Sequence, residues 1–200
     1  HPLDTYRLEL NSFCNTAMAE FQDLPKLKGK EIAVGGIVTV VSHRVSKMGK
    51  PFGSFTMEDY KGSFEFMLFG EDYVKFKAFL VQGFFLYIKG KVQDRYMQPG
   101  NLEFKVSSMQ LLTELRDKMT RSLTIQTSLT DLTDSFIEKV FQLFAENSSD
   151  QQRTCSLRFS IYDKEENLLI EMPARKIRLN PSNELLDKIS KIPGVTFRLN

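Results

Sequence analysis

Five short segments of alternating polarity, interrupted once by a stretch of helical spacing, lie between Glu31 and Leu112 and constrain what this chain can fold into. Ile32, Val34, Val38 and Val40 alternate in the first, with Gly35-Gly36 where a coiling strand needs a bulge. A basic loop punctuated by Gly and Pro follows, Val45-Ser46-Lys47-Met48-Gly49-Lys50-Pro51. Residues 52–59 read as a second strand, Lys61-Gly62 as a tight turn and residues 63–69 as a third strand. From Gly70 to Leu80, Tyr73, Phe76 and Leu80 fall on one side of a helix. Residues 84–94 and 102–112 complete the set, joined by a loop that carries Arg95, Tyr96, Pro99 and Gly100.

Three strands, a helix and two more strands is the order of the OB-fold, a small barrel that often binds oligonucleotides. A net charge of +2 over the whole chain is too small to announce a polyanion partner, but residues 28–112 hold 12 Lys/Arg against 8 Asp/Glu. In the fourth segment Leu86, Ile88, Gly90 and Val92 share one parity and suit the core. Tyr87, Lys89, Lys91, Gln93 and Arg95 share the other. Cations alternating with an aromatic are what a groove tracking single-stranded nucleic acid needs, charges for phosphates and a π-face for bases. Arg44, Lys47 and Lys50 in the first loop, with Arg95 and Tyr96 in the last, could close over such a strand. The same cations would equally serve to keep an exposed sheet face soluble and its edges blunt. Most of Phe52, Phe55, Phe64, Phe66 and Phe69 are needed inside a barrel of this size; Phe52, beside the basic loop, is the exception available for stacking.

On either side of the barrel the pattern changes. Residues 1–30 form a helical lead-in, with Phe13, Ala17 and Phe21 spaced as one amphipathic helix from Asn11 to Asp23, ended by Pro25. A first residue of His rather than Met suggests a start inside a longer polypeptide. Residues 113–121 link the barrel to a second domain and can continue as a helical turn. That domain, residues 122–200, reads strand-helix-strand-strand-helix-strand, a small α+β sandwich with its helices on one sheet face. Asp131 or Thr133 caps its first helix, Asn147–Gln152 forms a polar turn, Ile177 and Leu179 mark a short extended piece, and Pro193-Gly194 stops the second helix. Charges balance over residues 121–200, 11 of each sign, which offers no general attraction to phosphate. The basic run Arg175-Lys176-Ile177-Arg178 is offset by acids elsewhere.

Catalytic chemistry finds little support. Glu58-Asp59 and Glu71-Asp72 are the tight acidic pairs of the barrel, but neighbours on a strand face opposite ways and make a poor metal clamp. Asp59 is better placed to cap the Lys61-Gly62 turn, and Glu71-Asp72 to open a helix. His43 is the sole internal histidine, Cys14 and Cys155 stand far apart without a CxxC, and no phosphate-binding GxxxxGK[ST] occurs. No cofactor is implied. The polar N-terminus carries no signal peptide, and the longest apolar run, residues 83–88, is far too short to span a bilayer. A soluble protein of the reducing cytoplasm is expected, with no membrane partner.

Gly35-Gly36-Ile37-Val38, Lys47-Met48-Gly49-Lys50-Pro51, Met57-Glu58-Asp59-Tyr60-Lys61-Gly62-Ser63-Phe64-Glu65 and Phe69-Gly70-Glu71-Asp72-Tyr73, in this order and spacing, resemble the OB domain of the bacterial DNA polymerase III alpha subunit. The opening His1-Pro2-Leu3-Asp4-Thr5-Tyr6 resembles the segment before that domain, and the last eighty residues resemble the family's C-terminal domain. The resemblance implies a non-catalytic part of a DNA-directed DNA polymerase, a nucleotidyltransferase whose catalytic residues lie upstream. It implies that the barrel contacts single-stranded template DNA and that the C-terminal domain docks the tau subunit of the clamp loader, among other replisome proteins. Two other readings stay open: a stand-alone OB protein that binds single strands or tRNA, and a structural adaptor whose barrel binds only protein.

Overall fold

A computed structural model describes residues 1–147 and 155–200, so part of the expected Asn147–Gln152 turn lies outside the described residues. These residues fall into two compact units, His1–Leu115 and Arg116–Asn200. In the first, α1 (Arg7–Phe13) and α2 (Leu24–Leu27) precede β1 (Glu31–Val45), β2 (Pro51–Glu58), β3 (Ser63–Phe69), α3 (Gly70–Phe76), β4 (Phe85–Arg95) and β5 (Gln98–Leu111). The strands form one antiparallel sheet in the order β3-β2-β1-β4-β5, and α3 with the 3-10 turn Lys77–Phe79 crosses from β3 to β4. This is the expected OB architecture. β4 and β5 meet through a tight turn at Tyr96-Met97 rather than an open loop, because Arg95 already pairs with Gln98.

The bulge in β1 is not at Gly35-Gly36, which pair regularly with Tyr87 and Leu86. It falls at Thr39, where Val38 opposes Met57 but Val40 opposes Thr56. One extra residue inverts the parity of everything after it. Val38 is therefore buried, while Val40, which shares its parity in the sequence, is 58% exposed on the outer face. The glycines serve close approach instead. A side chain at Gly35 would strike Leu10 and Cys14, and one at Gly36 would strike the Glu58 carbonyl.

The lead-in is not a single helix. α1 stops at Phe13, Cys14 is extended (φ −95°, ψ 143°), and a 3-10 turn runs from Met18 to Asp23. The cause is Asn15. Its amide N–H donates to the Ala33 carbonyl, its side chain donates to the Glu31 carbonyl, and its side-chain oxygen accepts from the Ala33 N–H, each at 2.9 Å. Three bonds to the start of β1 outcompete continuation of the helix. The turn that results carries Phe21 into the barrel. Its ring lies 5.3 Å from Phe66 of β3 and 5.1 Å from Phe104 of β5, and those two rings are 5.6 Å apart. β3 and β5 are the two ends of the sheet order, so Phe21 fills the seam between its outermost strands.

Asp59 fastens the other end of this arrangement. One carboxylate oxygen accepts from the N–H groups of Lys61 and Gly62 at 2.7 and 2.9 Å, and the other accepts from Met18 N–H at 2.8 Å. It thus caps its turn, as its position implied, and also pins the lead-in. Glu71 and Asp72 stand in the first turn of α3, and Asp72 pairs with Lys105 of β5.

Helix α4 (Leu112–Met119), where a linker was expected, runs across the division between the units. In the second unit β6 (Ser122–Ser128), α5 (Asp134–Glu146), β7 (Cys155–Asp163), β8 (Leu168–Leu179), α6 (Asn183–Ser190) and β9 (Thr196–Leu199) follow one another in the expected β-α-β-β-α-β order. The sheet order is β8-β7-β6-β9, with β6 and β7 parallel across α5 and the outer pairings antiparallel. Thr133 caps α5 and Ser182 caps α6, each accepting from a backbone N–H at 3.2 Å. The expected separate piece at Ile177–Leu179 is the end of β8, after a register break between Ala174 and Arg178 that displaces Arg175, Lys176 and Ile177. Leu123, Ile125, Leu157, Ile161, Val140, Phe144, Leu185 and Ile189 are the buried core of this unit.

Candidate nucleic-acid interface

Registers across β1, β2 and β3 assemble one outward face from three strands. Arg44 opposes Phe52, which opposes Phe69; Ser42 opposes Ser54, which opposes Met67; Val40 opposes Thr56, which opposes Glu65. The rings of Phe52 and Phe69 lie 5.5 Å apart and 20° from parallel, and Phe69 is 48% exposed. Arg44 is braced by its Nε–H to Ser42 at 3.0 Å. The basic loop rises beside this first row. Gly49 N–H bonds to the Ser46 carbonyl and Ser46 N–H to the Lys50 carbonyl, both at 2.9 Å, and Gly49 has φ +73°. That is a turn closed by a left-handed glycine, a short hairpin tip that holds Lys47 and Lys50 in place. No carboxylate among the described residues pairs with Arg44, Lys47 or Lys50. The acids of the face, Glu58 and Glu65, belong to its opposite end. Cations beside two stacked, half-open rings have the chemistry to meet phosphates and bases together.

The fourth-strand face is built differently from its sequence pattern. Tyr87 is 1% exposed, and its hydroxyl donates to the Phe13 carbonyl at 3.1 Å. Because Gly35 beside it has no side chain, α1 lies against this part of β1 and β4, and Tyr87 offers no ring to a base. Burial, with a smaller contribution from Cys14, pushes the Tyr87 hydroxyl up to about 12. The Cys14 thiol is likewise pushed up to about 12 by burial and by the charge of Asp59. Lys89 lies 5.7 Å from the Tyr87 ring, Lys91 pairs with Glu31 at 3.1 Å and Arg95 with Glu103 at 3.5 Å. Tyr96 is open to solvent at the β4–β5 turn. Pairing puts that turn beyond the Glu31 end of β1, whereas the basic loop leaves from its Val45 end. Of the residues singled out in the sequence, Arg44, Lys47, Lys50 and Phe52 come together. Phe69, Met67 and Val40 join them unforeseen, although the alternation Phe64-Phe66-Leu68 against Glu65-Met67-Phe69 already marks Phe69 as outward.

Residues 32–112 match a family model described as an OB-fold nucleic acid binding domain. Residues 123–200 match one described as the DNA polymerase III alpha subunit, C-terminal domain. The chain is a relative of the C-terminal region of the DNA polymerase III alpha subunit. The alpha subunit of Vibrio cholerae is 23% identical over 97% of this chain, and that of Haemophilus influenzae 29% identical over 70%. The chain spans 16% of the first of these alpha subunits and 12% of the second. Among solved structures, OBody AM3L09 bound to hen egg-white lysozyme aligns over 50% of this chain and 94% of its own length, at 20% identity and a TM-score of 0.37. Among the described residues, no helix is long and apolar enough to cross a membrane, and no group of His, Cys, Asp and Glu converges to hold a metal ion.

Proposed function

We propose that this chain serves a replicative polymerase alpha subunit as its single-strand-contacting and partner-docking part. The barrel holds single-stranded template DNA across the outer face of β1, β2 and β3. The observation that carries this is the row Arg44–Phe52–Phe69, with Lys47 and Lys50 in the turn that joins its first two strands. Replacing Arg44, Lys47 and Lys50 together by Ala should weaken binding of a labelled oligo-dT and flatten its salt slope by roughly 2 units, at about 0.7 for each phosphate no longer neutralised. Fluorescence anisotropy at several salt concentrations measures both. A triple variant that binds like the parent at every salt level would place the strand elsewhere.

The C-terminal unit docks a protein, and the partner its family resemblance implies is the tau subunit of the clamp loader. Support comes from an apolar groove of about 280 Å³ between α5 and the β7–β8 hairpin, lined by Phe136, Val140, Phe144, Phe159 and Met172 among others. Ile137, Phe141, Ile170 and Met172 are exposed at or beside it. Apolar side chains grouped this way mark protein contact more often than chance exposure.

A further inference from the structure

We infer that the C-terminal unit carries a second, separate phosphate-binding surface, on the face of its sheet away from α5 and α6, suited to the backbone of a single-stranded nucleic acid. The balanced charge of residues 121–200 hides a segregation. Arg158, Thr124 and Arg198 stand in one row across β7, β6 and β9. With the strands about 4.8 Å apart, the two arginine backbones are roughly 10 Å from each other. Arg121 enters the same groove, an open trough of about 590 Å³ floored by Ser122 and Thr124 and bounded by Asn200. Among the described residues, Glu171, one row away, is the single acid that lines it. The remaining acids of the unit sit on α4, α5 and α6, at the last residue of β7, in the turns after β6 and β7, or outside the described residues. Among the described residues, no carboxylate pairs with Arg121, Arg158 or Arg198.

Three guanidinium groups over small hydroxyl residues are forks for oxyanions, able to take two oxygens of one phosphate each. A carboxylate-rich peptide has the same charge, but an extended peptide draws its affinity from main-chain bonds at a sheet edge. This groove lies on a sheet face, which offers side-chain donors alone. It therefore favours a ligand that carries its charges along its own backbone. Pro173, the register partner of Arg158, lines the groove too and gives a base or sugar an apolar wall.

The test uses the full chain, in the parent and in the barrel triple variant described above. R158Q/R198Q should flatten the salt slope for oligo-dT by about 1.4 in either background, two phosphates at about 0.7 each. In the barrel variant it should also remove the residual binding. If R158Q/R198Q matches its own parent in affinity and slope in both backgrounds, the surface does not bind nucleic acid, whatever the barrel does. A second measurement avoids the substitutions. In the unaltered chain, the Nε–H NMR signals of Arg158 and Arg198 should shift as oligo-dT is added, and unmoved signals at saturation overturn the assignment. Competition separates the ligand class: poly-glutamate of equal charge should displace oligo-dT from the barrel variant at least tenfold less well than unlabelled oligo-dT. Equal or better displacement makes this a site for acidic protein instead and refutes the proposal.

Discussion

Phe52 and Phe69 lie side by side on neighbouring strands, ring centroids 5.5 Å apart, outside the barrel rather than in it. Their contact leaves a half-open aromatic step beside Arg44. Phe69→Ala should cost about 1–3 kcal/mol of oligo-dT affinity if a base stacks there. Its thermal unfolding should change little, because the side chain buries only part of its surface. Loss of affinity with an unchanged melting temperature supports the step; parallel loss of both would make the pair structural.

Core position, by contrast, is what the lead-in contributes. Phe21 is buried between Phe66 and Phe104. Phe21→Ala should destabilise the barrel by about 3–5 kcal/mol, the range for emptying a buried phenylalanine site. Removal of residues 1–30 should prevent the barrel from folding at all. Urea denaturation of the variant and circular dichroism of the truncated chain check the two statements, and a stably folded truncation would contradict the second.

How much of the fold and site is legible in the sequence depends on what each residue answers to. The strands follow from local alternation, which burial on one face enforces, and β3 matches its expected bounds to the residue. Asp59 is legible because a turn of Asp-x-Lys-Gly states its own chemistry. Val40 is not, because a bulge at Thr39 leaves no compositional mark, and one residue inverts the face. Tyr87 misleads for a tertiary reason: its parity is outward, but outward on β4 is beneath α1. Charge balance over residues 121–200 is silent on how the charges are placed, since a sum carries no record of which face each one occupies.

Buried Tyr87 makes a pH prediction. Its hydroxyl is raised above that of an unfolded tyrosine, so the contribution to stability is complete below about pH 10 and declines as pH rises towards about 12. Tyr87→Phe should remove this dependence at the cost of one hydrogen bond, about 0.5–1.5 kcal/mol. Unfolding followed between pH 8 and 11 compares the two. A parent whose decline in that window matches the Phe variant would show that other tyrosines carry it.

The two cysteines should be slow thiols. Burial raises both Cys14, to about 12, and Cys155. Since the thiolate is the reactive form, native protein at pH 8 should react with a disulfide reagent far more slowly than the same protein in denaturant. Stopped-flow release of the chromophore measures the ratio. A fast native phase equivalent to one thiol would show that Cys14, the less buried of the two, opens readily.

The partner docking proposed for the C-terminal unit would use side chains that the fold leaves outside its core. Phe141 is 67% exposed on α5, and Ile170 on β8 is 42% exposed, each bordering the core yet outside it. An aspartate at either position should leave the melting temperature within a few degrees of the parent, because little apolar surface is lost from the interior. It should nevertheless weaken capture of the clamp-loader tau subunit at least tenfold, since a charge driven into an apolar contact must be desolvated without a partner. Purified tau and titration calorimetry provide the measurement. R158Q/R198Q should bind tau like the parent, because its changes lie on the opposite face of the sheet. If F141D and I170D bind tau normally, the apolar groove is not the docking surface. If R158Q/R198Q loses tau instead, the sheet face is, and the two surfaces have their roles exchanged.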